Sequence, residues 1–185
     1  RTMGSKVNIL KATLNISDLD RNYYQEHKYT IAHQPPETGI YIIARILALA
    51  LNAHERLENT KGTDTKHEPA IWQKDLTGAI ESWIEIGEAD EKRMRKACSR
   101  SKHVIIYTYK EGSSAIWWDN KRSKLNLLKN LSVISLPAQA LDDLASMIER
   151  TMEWQCTIQD RHVWIANTDR TVEFDPIIWK EQEYK

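Results

Sequence analysis

The chain has 185 residues, 41% of them hydrophobic and 28% charged, with 26 basic residues balanced by 26 acidic ones. That length suits one domain with a sizeable core. The formal charge of +0 excludes a bulk field that would draw the chain to nucleic acid or to an anionic membrane, so any such binding must come from a local patch.

Residues 7–16 alternate apolar and polar side chains as a half-buried strand does. Residues 17–22 form a polar turn and 23–33 read as a second strand, so the chain opens with a hairpin. Pro35 and Pro36 stop strand pairing and suit a helix start. In that helix Ile40, Ile43, Ile46, Leu47 and Ala50 recur at helical spacing, and only Glu37, Tyr41, Arg45 and Asn52 make a polar stripe. A short strand over 56–60, a loop over 61–68 and a strand or helical turn over 69–73 follow. Residues 79–86 read as a strand with Ile80, Ser82, Ile84 and Ile86 on one face and Glu81, Trp83 and Glu85 on the other, ended by Gly87. A helix over 88–101, acidic in its first turn and basic afterwards, leads to a buried strand over 104–109. This strand, helix, strand succession predicts a crossover with parallel pairing. Beyond it come a helix over 114–129, a strand over 131–136 and a proline-started helix over 137–149. Strands over 154–159, 162–166 and 171–174 then alternate around the turn pairs Asp160-Arg161 and Thr168-Asp169. The expected fold is α/β, a single domain whose one mixed sheet is built around 79–86 and 104–109 with flanking helices.

Several classes of chemistry have no support in these residues. The longest apolar stretch, 40–51, carries Arg45 and falls short of the roughly 20 residues of a membrane span. The N-terminus lacks a signal peptide's apolar core, and Arg1 and Thr2 ahead of Met3 read as a leader remnant, so a cytoplasmic monomer without membrane contact is expected. Cys98 and Cys156 lack the paired spacing of a zinc or redox site. There is no phosphate-cradling glycine loop, no pair of histidines at i, i+4 and no serine in a nucleophile elbow.

The richest stretch runs from Trp72 to Ala97, and it belongs to a series of unusual strings. These are Leu10-Lys11-Ala12-Thr13, Asp18-Leu19-Asp20-Arg21, residues 33–38, Trp83-Ile84-Glu85-Ile86-Gly87, Arg95-Lys96-Ala97, Asn130-Leu131-Ser132-Val133 and Thr157-Ile158-Gln159-Asp160. In order and spacing they resemble the YaeQ family over nearly the whole chain. The resemblance implies an architecture similar to the PD-(D/E)xK nucleases, here with an extra N-terminal hairpin and C-terminal strands. It names no settled reaction.

Carried over residue by residue, the resemblance makes Glu37 the helix acid, Asp75 the hairpin acid and Glu85 the strand acid. Asp75 and Glu85 would hold Mg²⁺ or Mn²⁺ through oxygen ligands, and the ion would polarise a phosphodiester and activate water. Where the nuclease motif has its lysine this chain has Gly87, which leaves Lys96 or Lys92 on the following helix as substitutes. Lys96 falls nearly opposite the helix's apolar stripe of Met94, Ala97, Cys98 and Ser101, whereas Arg93 lies nearer its edge. Each acid also has an ordinary reading: Glu85 as a salt-bridge partner of the basic helix, Asp75 as a turn residue, Glu37 as compensation of a helix dipole. The cations Lys92, Arg93, Arg95, Lys96 and Arg100, with Lys102, Lys121, Arg122 and Lys124, form either a phosphate-binding face or a solvated one. Arg93, Lys96 and Arg100 lead the first reading. The seven tryptophans, with Trp117 and Trp118 adjacent, are stacking platforms for single strands or core. The expected function is a metal-dependent, nuclease-like phosphodiesterase or its degenerate relic. The alternative is a non-catalytic module that binds nucleic acid or protein.

Overall fold

The structure, a computed structural model, describes residues 8–34, 37–62 and 64–183. Chain contacts divide it into two compact units, one of Arg1–Ala53 with Gln139–Pro176 and one of His54–Ala138 with Ile177–Lys185. Where one sheet was expected the chain builds two, both mixed, with four helices among the described residues.

In the first unit β1 (Asn8–Asp18) pairs antiparallel with β2 (Tyr23–His33), Asn8 opposite His33 and Asp18 opposite Tyr23. Two later strands, labelled by chain position, are β8 (Thr151–Gln159), which pairs parallel with β1, and β9 (His162–Ala166), antiparallel to β8. With β10 (Thr171–Phe174) the order is β10-β9-β8-β1-β2. Leu10, Ala12, Leu14 and Ile16 of β1 are buried beside Met152, Trp154 and Cys156 of β8, while Lys11, Glu153 and Gln155 face solvent. This period of two is the strand alternation visible in the sequence. Asp160 and Arg161, at φ 53° and 64°, make a two-residue turn of the primed type, and Asp20 accepts both their amides at 2.7 and 2.9 Å. Helix α1 (Gly39–Leu51) is capped by the Thr38 hydroxyl, which accepts from the Tyr41 amide. It buries every residue from Ile42 to Ala50. Helix α4 (Ala138–Ala145) ends four residues earlier than expected, and β8 reaches back to Thr151. The expected strand start at Val7 and the helix start at Pro35 and Pro36 lie outside the described residues.

The second unit contains β3 (Leu57–Asn59), β4 (Ile71–Lys74) and β5 (Ile80–Ile86), then α2 (Glu91–Arg100), β6 (Ser101–Thr108), α3 (Glu111–Leu125) and β7 (Leu131–Ser135). Strands β5, β6 and β7 run parallel with α2 and α3 as their crossovers, and the β5, α2, β6 part is the pairing expected from the sequence. A last strand, β11 (Ile177–Lys180), not anticipated, pairs antiparallel with β7, giving the order β11-β7-β6-β5-β4-β3. The helix-covered face is built largely of indoles. Trp72 meets Trp83 edge to face at 6.0 Å, and Trp118 stacks on Trp179 at 6.1 Å. Met94, Ala97, Val104 and Ile106 fill the space between helix and sheet. Among the described residues no helix is long and apolar enough to cross a membrane.

Candidate functional site

Strand register decides which acids meet. Ile71 lies opposite Ile84 and Trp72 opposite Trp83, so one further step brings Ala70, a residue without a carboxylate, level with Glu85. Asp75 is at the other end of the hairpin, just past the Lys74↔Ile80 pair. Five steps of strand separate Ile80 from Glu85, roughly 17 Å at strand rise, several metal-ligand lengths. The expected metal pair of Asp75 and Glu85 is therefore not formed. Among the described residues no group of three His, Cys, Asp or Glu side chains is placed to hold an ion. So placed, Asp75 and Glu85 do not fit a shared Mg²⁺ or Mn²⁺ ion.

Each acid is held in a local role. The Asp75 carboxylate accepts from the Thr77 amide at 2.8 Å, the Thr77 hydroxyl at 2.6 Å and the Ala79 amide at 3.0 Å. It is the turn residue that lets Gly78, at φ 90°, reverse the chain. The bonds from Thr77 hold its carboxyl below the usual range. Glu85 is 9% exposed. Its Oε1 accepts the Trp83 indole N–H at 2.8 Å and the Arg93 guanidinium through Nε at 2.9 Å and Nη2 at 2.8 Å. Glu37 belongs to the other unit and stands one residue before the cap of α1 rather than in its first turn. Its carboxylate accepts from the Gln34 amide at 3.1 Å, and its carbonyl accepts from His33 at 2.7 Å.

Position 87 explains the absent lysine. Gly87 has φ 109°, a region that side-chain-bearing residues rarely enter, and its amide donates to the Tyr107 carbonyl at 2.8 Å. The backbone there requires glycine. Lys96 on α2 is exposed and makes no ion pair among the described residues, so it has no structural link to Glu85.

The basic helix divides into two flanks. Beyond Glu85, Arg93 donates to the carbonyls of Thr65, of Lys66 and, at 3.0 Å, of Glu68, and its guanidinium lies 5.6 Å over Trp83. Arg100 donates to the His67 carbonyl at 3.1 Å and lies 5.3 Å over the same ring. These two arginines strap residues 65–68 of the preceding loop to the sheet, a role the sequence did not assign to them. The opposite flank meets α3. There Glu91 is shared by Arg95 at 3.3 Å and Lys124 at 3.6 Å, so the two helices present their cations together. Lys92, Lys96, Lys121 and Arg122 are exposed and unpaired among the described residues.

Two polar clusters escape a reading of the sequence. In β5, Glu81 is an extra residue between the pairs Gln73↔Ser82 and Lys74↔Ile80. That bulge turns it toward Gln73 at 3.0 Å and Arg56 at 3.2 Å, which hold its carboxyl below the usual range. In the first unit His162 is bonded on one ring nitrogen to Asp175 at 2.7 Å and on the other to Glu173 at 3.2 Å. Strand periodicity signals neither, because one needs a bulge and the other a side chain beyond the strand end.

The YaeQ protein family matches residues 3–176. "Uncharacterized protein YaeQ" of Escherichia coli K12 is 36% identical over 179 residues, 97% of this chain and 99% of that protein, and the Salmonella typhi protein of the same name agrees to the same extent. Among solved structures, the YaeQ protein of Xanthomonas axonopodis pv. citri superposes with a TM-score of 0.90 at 36% identity, over 95% of this chain and 99% of that one. The Pseudomonas syringae YaeQ protein gives 0.88 at 29% identity, over 96% and 98%.

Proposed function

This chain belongs to the YaeQ family, and on that footing we propose that it is a non-catalytic module that binds nucleic acid through the α2 and α3 side of its six-stranded unit. The observation that carries this reading is the division of α2 into two flanks. Arg93 is consumed by Glu85 and the carbonyls of residues 65–68, while Lys92 and Lys96 are exposed and Arg95 and Lys124 share only Glu91. Cations that outnumber the acids between them attract a chain of phosphates even when the protein is neutral overall. The succession β3-β4-β5-α2-β6 supports kinship with a PD-(D/E)xK frame, one in which the strand acid neutralises an arginine instead of holding an ion.

Hydrolysis forms no part of the reading, because Glu85 faces Ala70 and Gly87 leaves no lysine beside it. A protein partner is the second reading, favoured by Ile116 on α3 and Leu127 in the turn that follows it, which are 65% and 77% exposed. The test is fluorescence anisotropy with labelled oligonucleotides at low salt. Tight binding is expected for the wild-type chain and much weaker binding for the variant combining Lys92→Ala, Lys96→Ala, Lys121→Ala and Lys124→Ala. Equal binding by both proteins would move the site elsewhere, and no binding by the wild type would favour the protein partner.

A further inference from the structure

Resting on that reading, we infer that the nucleic acid is single-stranded and that the groove between α2 and α3 takes it with a base stacked on Trp117. Trp117, Lys121 and Lys124 follow the i, i+4, i+7 spacing that puts side chains on one flank of a helix. Lys124 shows which flank it is, since its ammonium reaches Glu91 on α2. The aromatic ring and the two lysines therefore line the α2 side of α3, across from Arg95, whose side chain is 61% exposed.

Trp117 is half-buried and backed by other rings. Its centroid is 6.3 Å from Trp118, tilted by 41°, and Trp118 in turn stacks on Trp179. An indole fixed in this way loses little freedom when a base settles against it. A duplex keeps its bases inside the stack and offers such a ring nothing but backbone. A single strand turns its bases outward, so alternating aromatic and cationic contacts suit it.

The experiment compares a labelled oligothymidylate, the same strand with abasic sites and a hairpin duplex of equal charge, all with the full-length wild-type chain. The oligothymidylate is expected to bind about tenfold more tightly than the abasic strand, in line with stacking energies of about 1–3 kcal/mol per base. The duplex should resemble the abasic strand. Trp117→Ala should erase the difference between the oligothymidylate and the abasic strand, and Trp117→Phe, which keeps a ring in place, should restore most of it. Equal affinity of the wild-type chain for all three ligands would overturn the stacking inference and leave the binding module standing. Failure to bind any of them would remove both.

Discussion

Glu85 and Arg93 are joined through two guanidinium nitrogens at 2.8 and 2.9 Å, and the same arginine reaches three carbonyls of the loop that precedes β4. A strand acid, a helix and a loop are thus tied at one point. Removing one member of a largely buried pair leaves the other charge unpaired, so Arg93→Ala is expected to destabilise the chain by about 3 kcal/mol. Arg93→Lys should recover little, because an ammonium cannot span a carboxylate and three carbonyls. Lys96→Ala should change stability by no more than about 0.5 kcal/mol. Urea denaturation of the three variants checks this, and a near-neutral Arg93→Ala would show that the strap is not holding the loop.

Divalent ions provide a second check. A ligand that binds only the folded state raises the melting temperature, and a shared site between Asp75 and Glu85 would respond in this way. With the two acids at opposite ends of β5, Mg²⁺ and Mn²⁺ are expected to give no shift that depends on Glu85. A shift abolished by Glu85→Ala would contradict the register described here.

Gly87→Lys puts a lysine where the nuclease motif would have one. An added Cβ would meet the Tyr109 ring at 3.6 Å, an ordinary contact, so the cost lies in φ 109°. A loss of about 1–3 kcal/mol is expected from forcing a side chain into that region, without gain of nuclease activity. Metal-dependent cleavage by the variant would show that lysine alone was missing.

Titration separates the two polar clusters by sign. His162 lies between Asp175 and Glu173, and the bond to Asp175 chiefly raises its pKa above the ordinary histidine value. Its contribution is fully present below the unfolded value, about 6.5, and is lost as pH rises through the higher folded one. His162→Ala should therefore destabilise more at about pH 5 than at about pH 9. Asp75 has its pKa lowered, chiefly by the Thr77 hydroxyl. Its contribution is present above about 3.9 and is lost as pH falls through the lower folded value. Chemical denaturation across pH for each variant tests both signs, and a His162 effect that grew with pH would contradict the carboxylate clamp.

Local pattern carried most of the elements but not their ends, as α3 runs over Glu111–Leu125 where 114–129 was expected and β6 over Ser101–Thr108 where 104–109 was. The hairpin of β1 and β2 and the turn at Asp160 and Arg161 follow from alternation and turn chemistry, and the parallel β5, α2, β6 unit follows from the change of period at Gly87. The second sheet was not legible, because it depends on β1 pairing with β8 across more than a hundred intervening residues. Strand β11 is only four residues long and follows a proline, too short for periodicity to register. At the site, the ordinary readings of Asp75 as a turn residue and Glu85 as a salt-bridge partner are the ones that the structure bears out. That Glu85 takes Arg93 was partly legible, since Arg93 lies at the edge of the apolar stripe of α2 while Lys92 is exposed.

If the exposed lysines of α2 and α3 meet phosphates, counterion release measures those contacts directly. For a single strand the logarithm of the binding constant falls against the logarithm of salt with a slope of about −0.7 per neutralised phosphate. The variant lacking Lys92, Lys96, Lys121 and Lys124 is expected to show a slope shallower by up to about 3 than the wild type. An identical slope in the two proteins would contradict the proposed contacts.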